Sequence, residues 1–144
     1  MEDSSVSSLH KVVVGHGVDV VDVVEFGRLL TTSARIFLNR HFTDSEIVDA
    51  GDGANQAEKL AGRFAVKEAV LKALGVGWGD GIAFTDVEVI TLATGAPTVL
   101  LHRRLAELQK ERRIVGWLVS TSHTSVIALA SVLAIGESMP MPMP

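Results

Sequence analysis

The stretch Arg63–Gly75, RFAVKEAVLKALG, decides how the rest of the chain is read. Its alanines, leucines and lysines are strong helix formers, and Gly75 is a natural C-terminal stop. The spacing therefore predicts a helix from about Ala57 to Leu74. Phe64, Val70, Leu71 and Leu74 call for burial, yet Arg63, Lys67, Glu68 and Lys72 occupy the same turns. Glu68 and Lys72 are four apart with the acid first, which favours an ordinary exposed ion pair, and on spacing alone that reading outweighs any function. The apolar residues nevertheless leave little room for a purely solvated face. Some of these charges must stand at the edge of the core, where two bases beside a carboxylate suit a polyanion bound through a divalent cation. Magnesium is typically held by one or two carboxylates plus the phosphates of its substrate.

Outward from this helix, VVVGHGVDVV before it is a β-branched run of the kind found in buried strands, with Gly15 and Gly17 permitting close backbone approach. Val23, Phe26, Leu29 and Leu30 recur at helical spacing. Thr43 and Glu46 form a capping box for a short helix that Gly51 closes. Beyond the central helix, GVGWGDG reads as a flexible glycine loop. DVEVITL, ATGAP and TVLL predict a strand, a turn and a returning strand, that is, a hairpin. A basic amphipathic helix follows at about His102 to Arg113. WLVSTS and VIALASVLAI supply two final strands. This order of elements predicts an α+β fold, an antiparallel sheet packed against one long central helix with shorter helices around it.

The chain has 144 residues, enough for one core. Residues 12–135 are expected to form a single domain, 1–11 a flexible N-terminus and 136–144, with its alternating Met and Pro, a disordered tail. Acids exceed bases by four, so a broad cationic field for nucleic acid is missing. The run HRRLAELQKERR reads as a solvated helix face rather than an RNA contact. Cysteine is absent, which excludes disulfides, thiolate metal sites and a cysteine nucleophile, and is compatible with a reducing compartment. The apolar run Val12–Val24 is broken by glycines, a histidine and two aspartates, so no membrane span is expected and a cytoplasmic location is.

Two further places carry chemistry. Asp19 stands among valines, where an ionised carboxylate needs a compensating cation or several donors; a strand-end aspartate bonded to backbone amides is the commoner case. Asp22 lies either one turn from it or at the cap of the next helix. In VSTSHT, alternation places Ser120 and Ser122 on one face and Val119, Thr121 and His123 on the other, so a ligand touching both Ser122 and His123 requires a bend. A serine hydrolase is disfavoured, since G-x-S-x-G does not occur. Neither dinucleotide nor Walker-type glycine spacing occurs, so phosphate must be met by side chains.

GHGVDVVDV, RFAVKEAVLKALGVG, DVEV with GAP, and VSTSH stand in an order that resembles the holo-acyl-carrier-protein synthase family of the 4'-phosphopantetheinyl transferase superfamily. Its pattern is G-x-D near the start, R-F-x-x-K-E-x-x-x-K in the long helix and V-S-x-S-H near the end, and the likeness covers about residues 12 to 133. The resemblance implies transfer of the phosphopantetheine arm of coenzyme A to a serine of an apo acyl carrier protein, with release of 3',5'-ADP. It implies that Asp19 and Glu68 coordinate Mg2+ together with the coenzyme's pyrophosphate, and that Lys72 neutralises that pyrophosphate. Arg63, Lys67, Ser122 and His123 become candidates for nucleotide and 3'-phosphate contacts. Glu68, Asp19 and a metal-bound water all stay open as the base.

The same resemblance implies a homotrimer with sites between protomers. Carrier proteins are acidic, so Arg28, Arg35 and Arg40, with Phe26 and Leu29, are candidates for a docking face. Glu25 departs from relatives that often carry arginine at that point. Fatty-acid and polyketide carriers both remain open. The rival readings are a non-catalytic nucleotide-binding or protein-binding module and another Mg2+-dependent phosphoryl enzyme such as a hydrolase.

Overall fold

The computed structural model describes residues 10–79 and 81–138. Helix α4, Gln56–Leu74, runs through its middle and is buried along most of one side, from Leu60 and Ala61 through Ala65, Val66, Ala69 and Val70 to Leu74. Each large apolar side chain buried this way contributes about 1.5–3 kcal/mol. The helix stops at Gly75, whose left-handed φ of 70° lets Val76 N–H reach the Leu71 carbonyl at 3.1 Å.

Against α4 lies a three-stranded antiparallel sheet in the order β1 (His10–Asp22), β5 (Ile127–Ser138), β4 (Ile114–His123). Alternation turns Ala128, Ala130, Val132 and Ala134 of β5 onto the helix. On β1 the inward positions are Gly15, Gly17, Asp19 and Val21. The glycines are required by distance: a Cβ on Gly17 would sit 1.8 Å from the Ala69 carbonyl oxygen, and one on Gly15 2.3 Å from that of Ala73. The strand therefore rests directly on the helix backbone, and the next inward residue, Asp19, is delivered beside the last turns of α4.

The other elements flank this pair. Helix α1 (Val23–Thr32) is capped by Asp22, which accepts from Glu25 N–H at 3.0 Å and so settles the choice left open for that residue. Helix α2 (Ala34–His41) was not expected: it is short and polar on average, and Ser33 makes no side-chain cap. Helix α3 (Asp44–Ala50) has the expected Thr43–Glu46 capping box and ends at Gly51. The expected hairpin is a separate two-stranded sheet, β2 (Val87–Thr91) with β3 (Pro97–Leu101), and α5 (Arg103–Glu111) precedes β4. The architecture is α+β.

Two boundaries move. His10 and Lys11 pair with Ser138 and Glu137, so regular structure extends past the expected 12–135 at both ends. Residues 1–9 and 139–144, where loose ends were expected, lie outside the described residues. The glycine loop is held: Gly79 and Ile82 exchange backbone hydrogen bonds at 3.3 and 2.9 Å. Among the described residues no helix is long and apolar enough to cross a membrane.

Gly17→Ala is expected to destabilise the protein by about 3 kcal/mol, the upper range of overpacking costs, because the clash is with backbone. Gly53→Ala, with open space around it, should change stability by less than about 0.5 kcal/mol. Urea unfolding of the two variants checks the difference.

Candidate active site

Asp19, mostly buried at the end of β1, meets Lys72 from the last turn of α4. The ammonium donates to Asp19 Oδ1 at 3.1 Å and to the Val18 carbonyl at 3.0 Å. Lys72 thus reaches across to β1 rather than forming the i,i+4 surface pair with Glu68, and Asp19 has the compensating cation that burial demands. Glu68, one turn earlier on α4, lines the same cavity as Asp19 and Lys72, a space of about 500 Å3. Phe26, Phe37 and Phe64 form its apolar side, and Asp22 and Glu25 stand at its rim. Burial pushes the Glu68 carboxyl above the ordinary glutamate value. The negative charge of Asp19 adds to this, and the Trp78 indole N–H and the Lys72 ammonium oppose it. Two carboxylates and an ammonium therefore converge in one half-apolar cleft, where charge interactions are stronger than in water.

A second cavity, about 150 Å3, opens on another side of α4 and is lined by Lys59, Arg63, Thr121 and His123. Arg63 bonds to Asp49 and to the Lys59 carbonyl, and its Nε is buried without a partner. Asp49, which also accepts from Thr91 at 3.0 Å, is held below the usual carboxylate range, first by Thr91 and then by Arg63. His123 Nδ1 contacts Glu58 Oε2 at 2.9 Å, which ties the end of β4 to the first turn of α4. Glu58, Lys59 and Asp49 carried no sequence signal, because each acquires a partner only through tertiary contact.

Lys67 needs correction as a nucleotide contact. Its side chain is fully buried, and its ammonium donates to Glu46 Oε1 at 2.8 Å, to the Phe84 carbonyl at 3.0 Å and to the Val87 carbonyl. All three protons are spent, and the Phe42 ring lies 5.4 Å away. Burial pushes Lys67 below the ordinary lysine value, with Glu46 opposing. Glu46 in turn accepts from Thr43 N–H and Val89 N–H, so this ion pair fastens α3 and β2 to α4. Ser122 also moves. Strand alternation leaves it on the open face of the sheet with Leu118 and Ser120, away from His123, and β4 has no bend there.

On the docking side Arg28, Arg35 and Arg40 are exposed, and Arg28 pairs with Glu25 at 3.1 Å. Phe26 needs correction: it is 3% exposed and belongs to the core. Leu29 is exposed, as is Ile36 on the unexpected helix α2.

Comparison with known proteins gives the chain a family and a fold. Residues 15–130 match the family model described as the 4'-phosphopantetheinyl transferase superfamily. The chain belongs to that superfamily. Curated relatives are the holo-[acyl-carrier-protein] synthases of Solibacter usitatus, 37% identical across 84% of this chain and 97% of that protein, and of Gloeobacter violaceus, 39% identical across 89% and 94%. Among solved structures, the synthase from Neisseria meningitidis superposes with a TM-score of 0.77 at 28% identity, covering 85% of this chain and 98% of that one. The Helicobacter pylori synthase in complex with coenzyme A gives 0.73 at 31% identity, covering 83% and 98%. The protein is accordingly an enzyme, a transferase of the phosphopantetheinyl type.

Lys67→Met should cost about 3–5 kcal/mol of stability, since it leaves the Glu46 carboxylate buried without its cation. Adding Glu46→Gln should recover part of that loss, because the backbone donors keep an acceptor. A double-mutant cycle by urea unfolding checks both.

Proposed function

We propose that this protein transfers the 4'-phosphopantetheine arm of coenzyme A to a serine hydroxyl of an apo acyl carrier protein in an Mg2+-dependent reaction that releases 3',5'-ADP. The observation that carries this reading is the meeting of Asp19, Glu68 and Lys72 in one cleft, across two elements packed backbone to backbone. The donor set fits the metal. Asp19 and Glu68 offer hard carboxylate oxygens, and among the described residues no group of three metal-ligating side chains exists, so the remaining shell is left to phosphates and water. Magnesium, when bound there, neutralises charge on the pyrophosphate and favours its approach to the nucleophile.

In this reading the carrier's serine oxygen forms a bond to the pantetheine-side phosphorus, and the bond from that phosphorus to the bridging oxygen breaks. The electron pair leaves on the 3',5'-ADP phosphate. Lys72, which lines the cleft beside Asp19, stabilises the charge that grows on the departing oxygen. Glu68, whose proton affinity is raised, takes the serine proton, with Asp19 as the alternative acceptor. The phenylalanine wall gives the pantetheine arm an apolar surface. The second cavity suits the nucleotide's 3'-phosphate, since Arg63 keeps a buried N–H unpaired next to Lys59 and His123.

The two cavities lie on different sides of α4, which supports a homotrimer with sites completed between protomers. The open sheet face supports it as well. Val18, Val20, Leu118, Ile127 and Leu129 are each at least 41% exposed there, an apolar surface suited to a second copy. Ser122 lies on that face too, opposite Leu129, which supports its contact with a ligand held by a neighbour rather than with one held by its own chain. Arg35 and Arg40, beside Leu29 and Ile36, suit an acidic carrier helix.

Mass spectrometry of an apo carrier incubated with coenzyme A and Mg2+ should show one phosphopantetheine added. Unchanged carrier with intact coenzyme would indicate a binding module, and cleaved coenzyme with unmodified carrier a hydrolase. Glu68→Gln should lower kcat about a hundredfold or more, through loss of several kcal/mol of charge stabilisation, with the fold intact. Lys72→Ala should lower kcat more than it weakens coenzyme binding. Without metal, Glu68 should titrate above the ordinary glutamate value, and Mg2+ added with coenzyme A should lower that midpoint, which an NMR titration of the side-chain carboxyl checks. Leu118→Glu should shift sedimentation to a smaller species and reduce turnover with it.

A further inference from the structure

We infer that His16 makes assembly of this protein proton-dependent: its neutral imidazole is enclosed where copies meet, and its protonated form drives them apart. This rests on the reading of the open sheet face as the surface that protomers of a homotrimer share. Alternation on β1 turns Gly15, Gly17 and Asp19 onto α4 and leaves His16 exposed on the opposite face. Strand pairing places it in one row with Leu133 of β5 and Leu118 of β4. The rows that follow are Val18, Ser131 and Ser120, then Val20, Leu129 and Ser122. The row before it is Val13, Ile135 and Gly116. In these four rows, which run across all three strands, His16 is the one titratable side chain.

Charge returns to this face only at its ends. Lys11 and Glu137 stand opposite one another two rows before His16, and Asp22, opposite Ile127, stands three rows after it at the cap of α1. At the rise of a strand these groups are roughly 15–20 Å from His16, beyond the range of unscreened attraction. An imidazolium on this face therefore meets no carboxylate, and enclosing it among valines and leucines is strongly unfavourable. The neutral ring has one N–H donor and one acceptor, which serine hydroxyls can satisfy, and Ser131 is its diagonal neighbour on β5. Assembly thus selects the neutral form. Histidine is the side chain whose charge ordinarily changes between about pH 5 and 8. Dissociated protomers bind protons that the assembly refuses, so the assembly is intact above that range and weakens as pH falls through it. One His16 per protomer means three protons per trimer, so the trimer dissociation constant rises by up to about a thousandfold per pH unit once the freed rings are charged.

Sedimentation velocity across a dilution series, at about pH 8 and about pH 5.5 on either side of histidine titration, tests this. The wild-type chain should be trimeric at the higher pH and dissociate at the lower one, with its far-UV circular dichroism unchanged. His16→Leu and His16→Gln cannot take up the proton, and each should hold the trimer equally at both pH values. A wild-type trimer with the same dissociation constant at both would overturn the inference. An equal acid-induced loss of trimer in a folded variant would overturn it too, as would a loss in the wild type that comes with unfolding. A wild-type monomer at about pH 8 throughout the dilution series would instead overturn the homotrimer reading on which the inference rests.

Discussion

No side chain separates β1 from α4 where they cross. At Gly17 and Gly15 the strand lies so near the carbonyl oxygens of Ala69 and Ala73 that even a methyl group would intrude. Small residues on both elements make this contact possible, and its consequence is positional. With the strand seated on the helix backbone, the inward alternation of β1 brings Asp19 within reach of Lys72 and into the cleft that Glu68 lines. A strand pushed out by a side chain's depth would leave these groups facing water instead of one another. The meeting of these groups therefore depends on a packing distance between two backbones.

The ionic residues of the central helix divide by the face they occupy. Lys67 faces inward and spends every proton on Glu46 and two carbonyls, joining the helix to α3 and β2. Such a pair adds little net stability over an apolar substitute, because desolvation offsets most of its Coulomb attraction, but it admits only one arrangement of its partners. Glu68 and Lys72 stand at the edge of the core, half-screened from water, where a carboxylate binds protons more readily and an ammonium has a carboxylate to meet. Arg63 occupies a further side, paired with Asp49 and keeping one buried N–H unpaired. Adjacent residues of one motif thus serve a fastening, the cleft shared with Asp19 and a second cavity on another side of the helix.

Much of this was legible in order and spacing. The capping box at Thr43 and Glu46, the stop at Gly75, the hairpin at DVEV and GAP, and the central helix follow from local rules that a few neighbouring residues satisfy on their own. Helix α2 was not legible, since nothing local caps its start and its stability comes from packing of Phe37 and Leu38 against the buried cluster of Phe26, Leu30, Phe42 and Leu60. Phe26 read as a docking residue for the same reason in reverse. Helical spacing says that it faces something apolar, without saying whether that is the core or a partner.

The sequence by itself determined which elements form, which family the chain resembles, and that charge is concentrated in the central helix. Helix periodicity, capping and strand alternation act over a handful of residues, so they survive in the one-dimensional pattern. Only the tertiary structure decided that Lys67 is buried and Lys72 is not, that Lys72 pairs with Asp19 across 53 residues, and that Ser122 and His123 point apart. Those outcomes depend on which surfaces meet. That is set by the summed packing of distant segments, and no single window of residues contains it.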